Sequence, residues 1–323
     1  MGSAKASEFT PIECPGASYT QPLRINNPGD VVGNCQVGGN NRGFVRFANG
    51  VIKTFVVPGA FQGTGAVDIN DAKEIVGSYS TNINFTGAYT LVGDVFTTFS
   101  VPGSMVTVPT AINASGVVVG SYLDSSNYAA AFIRDATGNI TTFQAAPDAY
   151  STTPTGINSS GEICGYEFDS TGYHGFLQDA AGNVTIFDVP GSDPSNVSYP
   201  NAINAGGVVV GSFYGSVGGS QGFMRDALGN FTDIYAPDGT ETSLASINDL
   251  SDIAGTGQTL HLEYFGFVQY SSGTVEFEDP LAYIDYGTNV TSINRSGAVV
   301  GYYLDRVDEA HGYLYNSMPP PNN

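Results

Sequence analysis

The sequence contains no tryptophan and little positive charge, with ten lysines plus arginines against 30 aspartates plus glutamates. The net charge of −20 repels a phosphate backbone, so nucleic acid is a poor candidate partner. The same charge attracts cations, such as metal ions, amines or basic protein surfaces. The absence of tryptophan argues against a sugar-binding site built on indole rings.

Long apolar segments and zinc-site cysteine patterns are also missing. No stretch approaches the ~20 apolar residues of a membrane-spanning helix, so we expect no membrane span. The 323 residues contain three cysteines, without the Cys/His spacing that is typical of a zinc site. Cys164 lies in an apolar segment, which predicts a buried thiol.

The sequence is rich in internal repetition. One phrase recurs: Ile-Asn, a short stretch that usually includes Gly, and an apolar run that ends in Gly. Its seven copies begin at Ile25, Ile69, Ile112, Ile157, Ile203, Ile247 and Ile293. This spacing is typical of one four-stranded blade of a β-propeller.

The unit from Pro109 to Pro147 shows how one repeat is built. Its apolar and alternating segments predict four strands. Turns rich in Asn, Asp and Gly separate the first strand from the second and the third from the fourth. No segment has a sustained 3.6-residue period, so we expect essentially no helix. The units together predict an all-β, seven-bladed propeller with four antiparallel strands per blade.

The two ends of the chain predict how the ring closes. The last unit stops after its third strand, whereas residues 9–14 repeat the Phe…Pro-Gly ending of a fourth strand. We therefore expect residues 9–14 to form the outer strand of the last blade, which removes open sheet edges. An open β-solenoid is the alternative, but it needs polar capping repeats, and neither end supplies one.

These patterns predict one domain over residues 9–316. Residues 1–8 look like a vector-derived leader, and residues 317–323 are expected to form a disordered tail. The predicted repeats start near residues 22, 66, 109, 154, 200, 244 and 290.

The predicted topology separates two faces of the ring. The tight turns lie on one face, and the loops between second and third strands lie on the other, together with the interblade loops. Sequence variation concentrates in this second set, so its face is the predicted binding face. Cys14 and Cys35 both emerge there from neighbouring blades, where a disulfide between them would lock the closure.

The starts of the third strands carry a short signature. Examples are His174-Gly175-Phe176, His311-Gly312-Tyr313 and Ala130-Ala131-Phe132. With the Ile-Asn phrase, this signature resembles the extracellular HAF-repeat family, named for a His-Ala-Phe motif, over almost the whole chain. The resemblance implies a secreted bacterial protein with a propeller-like fold. It implies no activity, because that family is defined by its repeats alone.

Departures from the repeat mark candidate functional residues. The residue before the repeat Ile is small in five units but is Arg24 and Asp68 in the first two. These adjacent inner strands are predicted to line the central channel. Arg24 and Asp68 therefore either form an ion pair or present a guanidinium and a carboxylate to a ligand at the channel mouth.

Aspartates recur four positions after the repeat Gly, at Asp124, Asp169 and Asp305. If these loops face one axis, their carboxylates form a metal site. Calcium is the expected ion, because it takes roughly six to eight oxygen ligands and tolerates irregular geometry. The alternative is that they are solvated surface acids.

His174 and His311 occupy the same repeat position, at the start of a third strand. The shared position suggests a structural role, in which the imidazole bonds the neighbouring backbone. The alternative is a general base or metal ligand near the channel mouth, because histidine titrates near pH 7.

Recognition is the first of two functions that fit these features. The protein would be a secreted, monomeric recognition or adhesion module that binds a small molecule, a glycan or a cell-surface ligand. Its variable loops would make the contact, with Tyr122, Tyr166 and Tyr303 as predicted ligand-binding residues.

Hydrolysis is the second function. A Ca²⁺-dependent hydrolase of lactones, esters or phosphotriesters would use Asp68, Arg24, His174 and His311 at the channel mouth, with the metal activating water. Whether the chain is an enzyme stays open at this point, because a propeller is a scaffold that serves many functions.

Overall fold

The computed structural model describes residues 8–82, 85–192, 198–215, 219–237, 239–282 and 287–316. Within these ranges the chain forms β-strands joined by turns and loops, without an α-helix. No helix there is long and apolar enough to cross a membrane. The predicted leader, apart from its last residue, and the predicted tail lie outside the described residues.

The strands form seven four-stranded sheets, the blades, which are numbered here in chain order. Blades 1 to 3 comprise β2 (Ala17–Ile25), β3 (Val31–Val37), β4 (Asn40–Arg46) and β5 (Ile52–Phe55); β6 (Gly63–Ile69), β7 (Ile75–Asn82), β8 (Phe85–Val92) and β9 (Val95–Phe99); and β10 (Thr107–Ile112), β11 (Val118–Leu123), β12 (Ala129–Arg134) and β13 (Ile140–Phe143).

Blades 4 and 5 comprise β14 (Ser151–Ile157), β15 (Ile163–Phe168), β16 (Tyr173–Gln178) and β17 (Val184–Phe187); and β18 (Ser198–Ile203), β19 (Val209–Tyr214), β20 (Ser220–Arg225) and β21 (Phe231–Ile234). Blades 6 and 7 comprise β22 (Glu241–Ile247), β23 (Ile253–Gln258), β24 (Tyr264–Tyr270) and β25 (Gly273–Phe277); and β26 (Thr288–Ile293), β27 (Ala298–Leu304), β28 (Ala310–Asn316) and β1 (Phe9–Ile12).

Closure of the ring follows the sequence prediction. Strand β1 pairs antiparallel with β28, with Phe9 opposite Tyr315 and Ile12 opposite Gly312. The N-terminal strand is thus the outer strand of blade 7, and the all-β, seven-bladed propeller is confirmed. Cys14, just after β1, forms a disulfide with Cys35 in β3. This bond, which the sequence left open, links blades 7 and 1.

The Asn of the repeat phrase explains how neighbouring blades hold together. Each side-chain amide donates to the backbone carbonyl of the equivalent Asn in the next blade, and Asn294 donates to Asn26 to complete the circle. These seven bonds measure 3.0–3.2 Å, and every Asn is buried. Each Oδ1 also accepts the backbone N–H four residues on. The repeat therefore encodes a closed ring of hydrogen bonds.

A second ring lies at the other end of the inner strands. A buried Thr or Ser hydroxyl near the start of each inner strand accepts the backbone N–H that follows the preceding outer strand. The residues are Thr20, Thr64, Thr107, Thr152, Ser198, Thr242 and Thr288. Hydrogen bonds therefore join neighbouring blades at both ends of the inner strands.

The core lies between blades, where the aromatic residue of each third strand is buried. In blade 4, Phe176 lies opposite Gly165, and a Cβ on that glycine would come within 2.7 Å of the ring. In blade 7, Tyr313 faces Gly301, where a Cβ would come within 2.5 Å of the phenol oxygen. The glycine that ends the repeat phrase is therefore required for close packing of this ring.

The inner strands begin two to five residues before the predicted repeat starts. The predicted start is a proline in four blades, and this proline lies inside the strand: Pro22, Pro109, Pro154 and Pro200. An inner strand is an edge of its sheet, so a missing N–H breaks no ladder bond there. The register shifts just after this position in every blade.

Candidate functional site

The tight-turn mouth of the channel is occupied by structural hydrogen bonds. Two cavities of 190 and 200 Å³ lie there, lined by the repeat Asn turns. Asp71 accepts the backbone and side-chain N–H groups of Asn27 at 2.9 Å each. Asp249 accepts the backbone N–H of Ala205 at 2.9 Å. These acids bind neighbouring blades to each other.

Arg24 and Asp68 lie near this mouth and form an ion pair, with 3.9 Å between Nε and Oδ1. Asp68 also accepts the backbone N–H groups of Ile69 at 2.8 Å and of Ile112, in the next blade, at 2.9 Å. Burial raises the pKa of Asp68, while the charge of Arg24 and the two N–H groups lower it. These contacts correspond to the structural alternative predicted for the pair.

The repeat position of Asp68 has the same role elsewhere. Ser292 accepts the backbone N–H of Ile25, and Ser246 accepts that of Ile293, both at 3.4 Å. Asp68 thus connects adjacent blades. It lies at the tight-turn end of its strand, whereas His174 and His311 lie at the opposite ends of theirs. The structure therefore does not bring the four predicted catalytic residues together.

Asp124, Asp169 and Asp305 do not converge on one axis. Each caps the loop that follows its own second strand. Asp124 Oδ1 accepts the backbone N–H groups of residues 126 and 128, and Asp305 Oδ1 those of residues 307 and 309. Asp169 Oδ1 accepts the Thr171 hydroxyl and the backbone N–H groups of Thr171 and Gly172, and these bonds, foremost that of the hydroxyl, lower the pKa of Asp169. Asp169 and Asp305 instead belong to two separate clusters, in blades 4 and 7.

The blade 4 cluster consists of Glu167, Asp169 and His174, whose ligand atoms lie within 4.8 Å of one another. His174 Nδ1 lies 2.7 Å from Asp188 Oδ1, and Nε2 lies 3.4 Å from Asp169 Oδ1 and 2.8 Å from the Thr171 hydroxyl. Burial alone would lower the pKa of His174, but the carboxylates, foremost Asp188, outweigh it and raise the pKa. The imidazole bonds carboxylates, not the backbone that we expected.

Glu167 is the unusual member of this cluster. It is only 2 % exposed, and its Oε2 has no hydrogen-bond partner among the described residues. Burial raises its pKa, and the charge of Asp169 raises it further, against the opposing effect of His174. A buried carboxylate oxygen without a hydrogen bond is costly, so an additional positive charge at this place would be stabilising.

The blade 7 cluster consists of Asp305, Glu309 and His311. His311 Nδ1 lies 3.0 Å from Glu13 Oε1, and Nε2 lies 3.4 Å from Asp305 Oδ2. As in blade 4, burial would lower the pKa of His311, but Glu13 and Asp305 raise it overall. Tyr303 stacks on the imidazole, with ring centroids 5.2 Å apart.

The predicted ligand-binding tyrosines have different environments. Tyr303 is 9 % exposed in the core between blades 6 and 7, and burial raises its pKa to about 12. Tyr122 is half-buried and packs against the core between blades 2 and 3. Tyr166 lies within a continuous set of aromatic rings on the variable face. Of the three, Tyr166 is therefore best placed for a ligand.

We call this set the aromatic path; it consists of Tyr128, Tyr150, Phe168, Tyr173, Tyr166 and Tyr199. Successive ring centroids are 4.5–6.1 Å apart, and the path runs from blade 3 across blade 4 to blade 5. Tyr128 and Tyr150 are 52 % and 44 % exposed, with their rings stacked. The path thus offers solvent-accessible ring surface on loops of the variable face.

A cavity of 740 Å³ lies between blades 1 and 2, away from the predicted site residues. In blades 3 and 5, Arg134 and Arg225 lie over an aromatic ring of the preceding blade at 4.9 and 5.2 Å. Leu91 stands at this repeat position in blade 2. The shorter apolar side chain leaves the interblade space open, so the cavity reflects a packing difference.

Sequence reasoning missed Asp188 and Glu13 as partners of the two histidines. The two acids share a repeat position. In each blade, the glycine that follows the histidine pairs with an outer-strand residue, and the acid comes directly after that residue. It also missed the aromatic path apart from Tyr166. Spacing within one repeat does not show the path, because its rings come from three blades.

Comparisons with known proteins identify the fold. No protein-family model and no curated protein matches the sequence. A streptogramin B lyase structure is 14 % identical with a TM-score of 0.62, covering 96 % of this chain and 97 % of that chain. A catalytically inactive His-to-Ala variant of virginiamycin B lyase from Staphylococcus aureus, with quinupristin, is 11 % identical with a TM-score of 0.62, covering 95 % and 98 %.

The β-propeller domain of the Trilobed protease from Pyrococcus furiosus, described as having an open velcro topology, is 10 % identical. Its TM-score is 0.62, with 94 % of this chain and 99 % of that chain covered. At such low identity these similarities show the propeller fold alone. Membership of the HAF-repeat family stays a prediction.

Proposed function

We propose that this protein is a recognition module whose variable face binds a ligand along the aromatic path. The observation that supports the proposal is the continuity of six rings contributed by three blades. Aromatic side chains give large, rigid contact area at binding surfaces, and tyrosine keeps a polar end in water. The net charge of −20 favours a neutral or cationic ligand, such as an uncharged glycan or an amine.

The experiment is a binding screen of the full chain against a glycan array and a set of amines. Tyr150→Ala removes an exposed ring of the path, and Tyr199→Ala removes the ring contributed by blade 5. Tyr235→Ala is the matched control, because Tyr235 is 59 % exposed and lies outside the path. Loss of a central aromatic contact costs about 2 kcal/mol, so we expect roughly thirtyfold weaker binding for both path variants.

The control variant should bind as the wild type does. The proposal fails if no probe binds, or if a bound probe loses no affinity in either path variant. Binding that depends on Tyr235 instead would place the contact surface elsewhere.

A location outside the cell is part of the same proposal. The Cys14–Cys35 disulfide supports it, because disulfides persist mainly in oxidising compartments. Mass spectrometry of the protein from culture medium should detect the disulfide-bonded form. Recovery only from the cytosol, with both thiols free, would contradict this location.

Hydrolysis of lactones, esters or phosphotriesters is the second candidate function. The observation in its favour is the Asp188–His174 hydrogen bond, which orients an imidazole beside two further carboxylates. A substrate screen should then find an activity that His174→Ala abolishes and that His311→Ala leaves unchanged. Absence of turnover on all three classes would remove this candidate.

A further inference from the structure

The variable end of blade 4 combines features that point to a bound metal ion. Three side chains of the kinds that ligate metals, Glu167, Asp169 and His174, converge there. Glu167 pairs in register with His174 across β15 and β16, so both lie on the same face of the sheet. The backbone of two rigid strands therefore sets their relative positions.

Glu167 provides an independent sign of a missing partner. Its Oε2 is buried and accepts no hydrogen bond from the described residues. Three further carboxylates, those of Asp169, Asp148 and Asp188, act on Glu167, and His174 opposes them. Four carboxylates around one imidazole make this pocket suited to a cation.

His174 is oriented as a metal ligand would be. Nδ1 lies 2.7 Å from Asp188 Oδ1, which places the proton on Nδ1 in the neutral ring. Nε2 lies 2.8 Å from the Thr171 hydroxyl and 3.4 Å from Asp169 Oδ1, so an ion bound to Nε2 would displace the contact with Thr171. Metal-bound histidines commonly have such a carboxylate behind the ring, where it fixes the tautomer and raises the basicity of the ligand.

The distances fit one ion after side-chain movements. Bonds of about 2.1 Å from zinc to nitrogen and oxygen place two tetrahedral ligands roughly 3.4 Å apart. The Nε2 to Oδ1 distance of 3.4 Å matches this value. The ligand atoms of the whole cluster lie within 4.8 Å of one another, so the widest pair exceeds the tetrahedral separation by at most about 1.4 Å. Rotation of the side chains would have to move the ligand atoms by this amount.

We propose that blade 4 binds one divalent cation of the zinc class through Glu167, Asp169 and His174, with Asp188 as the positioning residue. A nitrogen with two carboxylates is a set that zinc and related transition metals accept, with one position left for water or a ligand. Calcium is less suited, because it takes roughly six to eight oxygen ligands and rarely imidazole. We therefore propose an ion of the zinc class at this site, in place of the calcium ion that we expected from the sequence.

This site extends the proposed recognition function without depending on it. Glu167 and His174 lie on one face of the blade 4 sheet, whereas Tyr166 and Phe168 of the aromatic path alternate to the other face. Metal binding is measured with the ion alone. Either claim can therefore fail while the other stands.

The test is titration of the EDTA-treated full chain with ZnCl₂ by calorimetry, repeated with CoCl₂ to record the visible absorption of the bound ion. Glu167→Gln and His174→Ala each remove a ligand, and Asp188→Asn removes the positioning carboxylate. His311→Ala is the matched control, because His311 has the same repeat position and similar carboxylate contacts in blade 7. Melting curves of all variants with and without Zn²⁺ report whether each one folds.

We expect one Zn²⁺ per chain in the wild type and in His311→Ala. Binding should weaken more than a hundredfold in Glu167→Gln and His174→Ala, and roughly 10–100-fold in Asp188→Asn. The Co²⁺ absorption band should disappear in His174→Ala, and Zn²⁺ should raise the melting temperature of the wild type but not of that variant. The proposal is overturned by three results: no Zn²⁺ binding, binding unchanged in folded His174→Ala, or loss of binding in His311→Ala.

Discussion

Blades 4 and 7 present the same imidazole at the same repeat position with different neighbours. His174 and His311 both bond a carboxylate that follows their outer strand, and both have an aspartate near Nε2. The second strand, however, supplies Glu167 in blade 4 and Tyr303 in blade 7, at equivalent positions opposite the histidines. Glu167 has a buried oxygen without a hydrogen-bond partner among the described residues, and Tyr303 covers the imidazole with a stacked ring.

This difference shows how one scaffold supports two kinds of chemistry. The ring of repeat asparagines and the interblade cores fix the backbone of both blades in the same way. The residue at the end of the second strand then decides whether the histidine faces a buried carboxylate or a stacked aromatic ring. In a repeat protein, function is therefore expected at departures from the repeat.

The largest expected effect is a difference in stability between variants of the two second-strand residues, Tyr303 and Glu167. Tyr303→Ala removes a buried aromatic ring from the core between blades 6 and 7 and should lower the free energy of unfolding by about 3 kcal/mol. Glu167→Ala removes a buried carboxyl group with one oxygen lacking a hydrogen bond, so metal-free protein at pH 7 should lose much less stability or gain some. Urea denaturation of both variants measures the contrast, and equal losses would refute it.

The asparagine ring should respond equally in both blades. Asn158→Ala and Asn294→Ala each remove one bond to the next blade and leave a part-buried backbone N–H without its side-chain acceptor. We expect each to lower the free energy of unfolding by about 2 kcal/mol. A loss of stability in only one of the two variants, in the same denaturation experiment, would show that the asparagine ring does not stabilise both blades equally.

The pH dependence of stability should differ between the wild type and Glu167→Gln. The pKa of Glu167 is raised in the folded protein, so the folded state keeps this proton to higher pH than the unfolded chain. The metal-free wild type should therefore lose stability as pH rises above ~4.3, through the folded value, relative to Glu167→Gln. Tyr303→Phe is the blade 7 control, because Tyr303 titrates only near pH 12. Parallel stability curves for wild type and Glu167→Gln would contradict the burial of this charge.

The smallest effect concerns the two carboxylates behind the histidines. Asp188→Asn should lower the pKa of His174, and Glu13→Gln should lower that of His311, because each removes a negative partner of the imidazolium. Titration of the histidine ring signals by NMR measures both values. Each variant should leave the pKa of the other histidine unchanged. A shift in both pKa values would show that the two sites are coupled.

Much of the fold could be predicted from the sequence because the repeat encodes it locally. The Ile-Asn phrase carries the amide that joins the blades, and its final Gly is where an aromatic ring packs. The missing fourth strand of the last unit and the surplus strand at residues 9–12 predicted the closure. The starts of the inner strands were placed late; in four blades the reason is a proline, which at an unpaired edge looks like a strand boundary.

The candidate site was predictable only in part. Asp169 and His174 stood out because the same residue types recur at their repeat positions, but the expected cluster with Asp124 and Asp305 did not form. Those aspartates cap their own loops, and loops of different blades point to different places on the ring. The lack of a partner for Glu167 and the aromatic path arise from contacts between strands and between blades, which spacing along one chain does not show.

The most direct test of this account is a crystal grown with Zn²⁺ and measured on both sides of the zinc absorption edge. The account predicts one anomalous peak about 2.1 Å from His174 Nε2, beside Glu167 and Asp169, and none at His311. A peak at His311 alone, or no peak in blade 4 at full Zn²⁺ saturation, would contradict the assignment of the buried carboxylate as a metal ligand.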